Sequence, residues 1–334
     1  MNPQQLVIQI ATGYIASTAL YLAARLDIAS RLAGGSKSVA ELAAATGTRE
    51  DALYRVLRLL ISLGIFTESA PGQISENAAS RILRKDQPDS LRGIALFWPD
   101  PFHFHAYSAL HATLQDGKPG VDHAFGKPLF DYLTTNPEYS AIFNDAMTTL
   151  SVPAIAAALE AYDFSLYGTI VDVAGGHGEV LLSILKANPR AKGILAEVDH
   201  VVRGALPRIE AAGLQQRCDA VACDFFKAVP AAGDAYVMKH IIHDWDDARA
   251  LLILKNIATA MGAKKGHVVL LESVIPEGPE PDFGKFLDIE MLALPGGKER
   301  TQKEFAELFA AAGFKLTRVV PTASPLSVVE ALRV

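Results

Sequence analysis

Residues 169–197 read TIVDVAGGHGEVLLSILKANPRAKGILAE, and the fold class is decided here. An apolar run carries Asp172 near its end. The chain then turns through Ala174-Gly175-Gly176-His177-Gly178, continues as an amphipathic segment, and enters a second apolar run that stops at Glu197. Strand, tight turn, helix and strand in this order form a nucleotide-binding βαβ unit. Glycines permit close backbone approach, and a carboxylate ending the second strand accepts hydrogen bonds from ribose hydroxyls. Strand-like runs recur at 219–222, 235–238, 267–272, 315–320 and 326–331, with helical patterns between most of them. This alternation predicts a doubly wound α/β domain whose ligands sit beyond the carboxyl ends of the strands.

Upstream the pattern changes. Leu6, Ile10, Ile15, Leu20, Leu22, Leu26, Ile28 and Leu32 are too many for one narrow apolar face, which suggests burial on several sides or in a subunit interface. From Lys37 the sequence predicts helix, turn, helix and hairpin. Ser38 and Glu41 make a capping box, and Thr48 and Glu50 open the next helix. This winged-helix pattern raises DNA binding as a hypothesis. Residues 1–95 hold ten Lys/Arg against eight Asp/Glu, a net of +2, which is little charge for neutralising phosphates. From 97 to 151 the chain is aromatic and helical, broken by Pro99, Pro101, Gly117, Pro119, Gly120, Gly126 and Pro128. Its aromatics read equally as core or as ligand wall.

Bulk properties exclude several classes. The chain has 334 residues, enough for two domains, with 50% hydrophobic residues and a net charge of −6. That balance argues against a general nucleic-acid or anionic-membrane surface. Two cysteines, Cys218 and Cys223, write neither a disulfide framework nor an all-Cys zinc site. No secretory n- and h-region opens the chain, and no clean apolar run reaches a span's length of about 18 residues. A soluble, cytoplasmic protein is expected.

The strand ends carry the chemistry. The first delivers the small-residue turn, the second Glu197, the third Asp224-Phe225-Phe226, and the fourth Lys239-His240-Ile241-Ile242-His243-Asp244-Trp245-Asp246-Asp247. Asp224 reads either as an acceptor for an adenine amino group beside a packed ring or as a helix cap. No Lys stands in P-loop spacing, which argues against phosphoryl transfer. The D-x-A-x-G-x-G spacing of Asp172 to Gly178 differs from G-x-G-x-x-G. It suits an amino-acid-bearing nucleoside, S-adenosylmethionine, better than the pyrophosphate of NAD.

VDVAGGHG, CDFF, MKHIIHDWDD, LLESVIP and PGGKERTQKEF, in this order and spacing, resemble the small-molecule O-methyltransferases. That family includes plant caffeic acid and flavonoid enzymes and bacterial antibiotic enzymes. The resemblance spans essentially the whole chain. It implies a winged-helix dimerisation domain at 1–95, a helical substrate-pocket segment at 96–150, and a seven-stranded Rossmann-like methyltransferase domain at 151–334. It further implies a homodimer, S-adenosylmethionine as cofactor with S-adenosylhomocysteine as product, and no metal.

By the same resemblance, Ala174, Gly175 and Gly176 line the methionine part of the cofactor, and Glu197, usually Asp in the family, holds the ribose. Asp224 and Phe225 hold the adenine, with Ser151 and Lys239 close by. His243 is the general base, and Glu272 and Glu299 flank it. Phe97, Trp98, Phe143, Met147, Met291 and Leu294 line an acceptor pocket, with Asp244 contacting substrate or backbone. The glycine turn departs from the family twice, with Ala174 for the first glycine and His177 where Thr is common. Ala at that place is expected to keep a negative φ. Leu294 stands where Asn is common, in a stretch one residue short.

Methyl transfer from a sulfonium needs alignment and removal of a proton. Alignment can contribute roughly 7–11 kcal/mol. A phenol titrates near 10 and a free imidazole near 6.5, values of about the size that make a neutral His a ready base. His240 reads as structural and Asp246 as the cap of the following helix. A metal on His243, Asp244 and Asp246 is the competing reading of that loop. The function expected is O-methylation of a phenolic or similar aromatic hydroxyl. The alternatives are N-methylation or another natural-product modification, a ligand-sensing winged-helix regulator, and a nicotinamide dehydrogenase.

Overall fold

The computed structural model describes residues 2–231 and 233–334, which divide into two compact units. Among the described residues, the first comprises 2–108 and 130–151, and the second 109–129, 152–231 and 233–334.

In the first unit the helix Pro3–Arg25 starts at Asn2, whose side chain accepts from Gln5 N at 2.8 Å while Gln5 Oε1 accepts from Asn2 N. Only its second half is packed, through Ala19, Tyr21, Ala23 and Ala24. Its first half presents Leu6, Val7, Ile8, Ile10 and Tyr14 to solvent, with Ile10 72% exposed. The expected capping box forms at Ser38 and Glu41 and starts the helix Val39–Thr46, which Gly47 ends at φ 65°. The next helix, Glu50–Ser62, is N-capped by Arg49 rather than by Thr48, and buries Leu53, Leu57 and Leu60. The hairpin Thr67–Ala70 and Gln73–Ser75, with Lys37–Ser38 added to its edge, completes the winged-helix pattern.

The helices Pro3–Arg25 and Pro137–Ala161 are each long and apolar enough to cross a membrane by length and composition. Neither is the uninterrupted apolar run whose absence was expected. Averaging over a whole helix outweighs scattered polar residues such as Gln9, Thr12, Asn144 and Asp145.

The second unit is built on a seven-stranded sheet of β1 (Thr169–Val173), β2 (Lys192–Glu197), β3 (Cys218–Ala222), β4 (Ala235–Lys239), β5 (His267–Glu272), β6 (Phe314–Pro321) and β7 (Ser327–Arg333). Their order across the sheet is β3-β2-β1-β4-β5-β7-β6. The first five pair in parallel, and β7 runs antiparallel to both β5 and β6. The expected strands are all present, with ends displaced by one or two residues.

Central strands covered on both faces need apolar residues at every position, so β4 and β5 read as continuous runs, not alternations. One face packs Val180, Leu181, Ile184 and Leu185 of the helix Glu179–Ala187. The opposite face packs Ile253, Leu254 and Ile257 of Asp247–Met261 with Phe305 and Phe309 of Gln302–Ala311. From β1 the chain winds outward to β3 and then returns to lay β4 on the other side of β1. The carboxyl ends of β1 and β4 therefore flank the switch point, where such sheets bind ligands.

Candidate active site

Beyond β1 the chain turns sharply at Ala174, whose N–H donates to Ala196 O at 2.8 Å. Ala174 has φ 56°, which corrects the expectation of a negative angle. Gly175 explains the turn, because a Cβ on it would overlap the carboxylate of Asp172 and crowd Leu195. With position 175 pressed against β1, the reversal falls one residue earlier, on an alanine. A left-handed alanine costs about 1–2 kcal/mol, part of which the greater chain entropy of glycine would offset. Ala174→Gly is therefore expected to raise stability by about 0.5–1 kcal/mol and the melting temperature by about 1–2 °C. Calorimetry that showed a lower melting temperature would disprove the strain.

Gly176, at φ 59°, has open space where a Cβ would stand. The carboxylate of Glu197 reaches back across the turn, accepting from Gly176 N at 3.2 Å and Val198 N at 2.6 Å. Burial pushes its pKa up, and these two donors pull it down. A carboxylate has about four lone-pair sites, so acceptor capacity remains for a vicinal diol. The side chain of Asp172 lies under the turn, where burial pushes its pKa up to about 7 against the opposing charge of Lys239. This backbone-lined notch with a carboxylate at its rim suits a nucleoside bearing an amino-acid tail.

Asp224 closes a turn rather than capping a helix, with Oδ1 accepting from Phe226 N at 3.1 Å and Oδ2 paired with Lys227 at 3.0 Å. The rings of Phe225 and Phe226 lie 4.6 Å apart, and both pack on Trp245. Burial lowers the pKa of Lys239, while Glu272, Asp172 and Asp244 oppose that shift.

The loop after β4 builds a proton site. His240 takes φ 54° and so aims the next three N–H groups at one atom. Ile241, Ile242 and His243 donate to Glu272 Oε1 at 3.0, 2.9 and 3.4 Å. This nest holds the carboxylate at the end of β5 beside the imidazole. His243 Nδ1 lies 2.8 Å from Glu299 Oε1 and 3.8 Å from Glu272 Oε2, and Nε2 lies 3.5 Å from Asp244 Oδ1. The ring of His240 stacks on that of His243 at 4.8 Å. Burial, Lys239 and His243 push the pKa of His240 well below its ordinary value, which keeps it neutral.

Burial alone would lower the pKa of His243, but Glu272, Asp244 and Glu299 together raise it well above the ordinary imidazole range. Burial pushes the Glu272 carboxyl up, while the imidazolium and its N–H donors pull it down. The three carboxylates therefore bias the buried ring toward its imidazolium form. Unperturbed values omit the three carboxylates that folding gathers.

Donor atoms of His243, Glu272 and Glu299 lie within 4.8 Å of one another, and this is a different trio from the His243, Asp244 and Asp246 considered for a metal. Asp246 instead N-caps the helix Asp247–Met261, accepting from Arg249 N at 2.8 Å, as expected.

The remaining candidates divide between the units. In the first, Phe97 makes an edge contact with Phe143 at 5.8 Å and a tilted one with Trp98 at 6.0 Å, while Met147 and Ser151 follow along Pro137–Ala161. In the second, Met291 and Leu294 lie buried at the end of the helix Gly284–Ala293. Sequence reasoning assigned no role to Asp172, Gly297 or Arg300. Asp172 was signalled as a carboxylate within a fully buried strand, and the other two belong to the quoted PGGKERT run.

Comparison with known proteins shows the family. The O-methyltransferase domain family matches residues 107–315, and the O-methyltransferase dimerisation domain matches residues 8–86. A phenazine O-methyltransferase of Lysobacter antibioticus is 43% identical, over 98% of this chain and 95% of its own. An O-demethylpuromycin O-methyltransferase of Streptomyces alboniger is 35% identical, over 98% of this chain and 89% of its own. Among solved structures, the mitomycin 7-O-methyltransferase superposes with a TM-score of 0.91 at 33% identity, covering 99% and 98% of the two chains. An O-methyltransferase of neocarzinostatin biosynthesis, solved with S-adenosylmethionine and 2-hydroxy-5-methyl naphthoic acid, gives 0.80 at 31% identity over 95% and 96%.

Proposed function

The chain belongs to the S-adenosylmethionine-dependent O-methyltransferase family, and from that premise we propose that it methylates a hydroxyl on a flat aromatic acceptor with His243 as base. The observation that carries this reading is the 2.8 Å contact of His243 Nδ1 with Glu299, beside a second buried carboxylate, at the end of β4.

The notch fits the cofactor. Ala174, Gly175 and Gly176 hold its methionine part through backbone groups, and Glu197 holds the ribose hydroxyls. Asp224 and Phe225 would take the adenine, with Lys239 at the end of β4 in the same unit. When bound, the cofactor supplies an activated methyl group on a sulfonium.

The chain's own residues then govern the proton. Glu299 keeps the hydrogen on Nδ1, so the neutral ring presents its lone pair at Nε2. That atom takes the acceptor's hydroxyl proton, and Glu272 and Glu299 stabilise the imidazolium formed. Asp244, 3.5 Å from Nε2, orients the acceptor hydroxyl. Phe97, Trp98, Phe143 and Met147 in the first unit, and Met291 and Leu294 in the second, are the apolar, aromatic and adaptable methionine side chains suited to contacting a ring. No metal takes part, because Glu272 and Glu299 serve the proton on His243.

The test is a mass-spectrometric methyl-transfer assay on phenolic phenazines, hydroxynaphthoates, hydroxyquinones and catechols. A product gaining one methyl on oxygen supports the reading. Products methylated only on nitrogen, with His243 dispensable, would replace it by the second reading. That second reading has its own support, since a riboflavin-type N,N-dimethyltransferase of Streptomyces davaonensis is 32% identical.

The protein acts as a homodimer in the cytoplasm on this proposal. The dimerisation-domain match and the exposed apolar half of Pro3–Arg25 support the first part, and two free cysteines fit a reducing compartment. Ile10→Asp would place a charge on that face. Light scattering should show a dimer for the native chain and at least about tenfold weaker association for the variant, the scale of an interface hot spot. A native monomer at high concentration would rule the dimer out.

A further inference from the structure

Arg300 is fully buried, yet the proton chemistry above leaves it without a role. Its guanidinium donates to backbone carbonyls on both sides of the base, from Nη1 to Ile242 O at 3.0 Å and from Nη2 to Trp245 O at 2.9 Å. Nη2 and Nε also reach Asp247 Oδ1 at 2.8 and 3.1 Å. Two backbone features join the same segments. Lys298 N donates to His243 O at 2.9 Å. Gly297 lies so close to that loop that a Cβ on it would overlap His243 O and crowd Trp245 N at 2.6 Å. On the far side, Ile275 N donates to Arg300 O at 3.1 Å, tying Arg300 to the chain just beyond Glu272.

Burying a guanidinium is costly, and apolar side chains of similar volume often stabilise a fold as well or better. What the guanidinium adds is a planar fork that can hold several acceptors in fixed relative positions. Those acceptors belong to the loop that carries His243, and Arg300 is the immediate neighbour of Glu299. We propose that Arg300 is a positioning residue for methyl transfer, locking the 242–247 loop to the 297–300 segment and thereby setting the contact between His243 and Glu299. The proposal rests on the reading of His243 as base. Lys at position 300 would keep the charge but could not span Ile242 O, Trp245 O and Asp247 together.

Four groups face His243: Glu272 from the end of β5, Glu299 from the clamped segment, and Asp244 and His240 from its own loop, with Lys239 lying against His240. Of these, Glu299 is the one whose backbone Arg300 adjoins. Loosening the clamp therefore removes one of three carboxylates that favour the imidazolium, and His243 should titrate at lower pH.

Arg300→Lys and Gly297→Ala would perturb the clamp from its two sides. The measurements are S-adenosylhomocysteine affinity, kcat and acceptor KM, and the His243 titration by NMR of the full chain labelled with 15N-histidine. In Arg300→Lys, affinity for S-adenosylhomocysteine and acceptor KM should hold while kcat falls by about tenfold to a hundredfold, the scale of a misplacement of about 1 Å. The His243 titration should move downward, and Gly297→Ala should reproduce both changes. Unchanged kcat with an unchanged titration would overturn the proposal. So would activity lost only in step with the folded fraction while folded molecules keep the native titration, since that marks a purely structural residue. An active His243→Ala would instead sink the base reading, and the NMR titration reports the clamp independently of turnover.

Discussion

His243→Ala is expected to lower kcat for a hydroxyl acceptor by about 10²–10⁴-fold, the usual contribution of a positioned general base. Affinity for S-adenosylhomocysteine should persist, because the notch at Ala174 to Gly176 and Glu197 is made by β1 and β2 and does not include the loop after β4. Isothermal calorimetry and steady-state rates separate the two effects. Near-native turnover in the variant would dismiss the base mechanism.

The same residue fixes the sign of the pH dependence. Since three carboxylates hold His243 above its ordinary range, the neutral base becomes more abundant as pH rises. The rate with a phenolic acceptor should therefore climb through an acid limb lying above about 6.5, the unperturbed imidazole value. Glu299→Gln removes a charge that favours the imidazolium, so its limb should move to lower pH even as its maximal rate falls. A limb unmoved by Glu299→Gln would assign it to another group.

Glu272→Ala is expected to destabilise the second unit by about 3–5 kcal/mol, the range for breaking a buried ion pair from one side. Three N–H groups would lose their shared acceptor, and the imidazolium would lose a buried counter-charge. Glu272→Gln should be milder in stability, because the amide oxygen still accepts from the nest, but it should lower the His243 titration. Urea unfolding of the two variants gives the comparison. Equal stability of Glu272→Ala and the native chain would mean that the nest contributes nothing to the fold.

Much of the site was legible because it is written in local signals. The turn after β1 follows from small residues between an apolar run and an amphipathic segment. The cap at Asp246 follows from an acid placed before a helical period, whereas His243 was singled out as a base through the family resemblance of its MKHIIHDWDD run. Ala174 resisted this reading, since its φ is set by the crowding of Gly175 against Asp172 and Leu195. No propensity of alanine announces that angle. Arg300 was visible as a residue but not as a clamp, because its partners Ile242, Trp245 and Asp247 stand 53 to 58 positions away.

The sequence by itself determined the order of elements, the parallel winding of β1 to β5, the winged-helix front and the identity of the residues at each strand end. Periodicity and capping act over a few residues, so short stretches suffice to encode them. Only the tertiary structure decided the direction in which the His243 titration is shifted and the turn of its loop at His240. Both depend on distances among Asp244, Glu272, Glu299 and the ring, and the buried Glu272 and Glu299 come from 29 and 56 positions away. Electrostatic energy scales with separation and local dielectric, and neither quantity exists until the chain has packed.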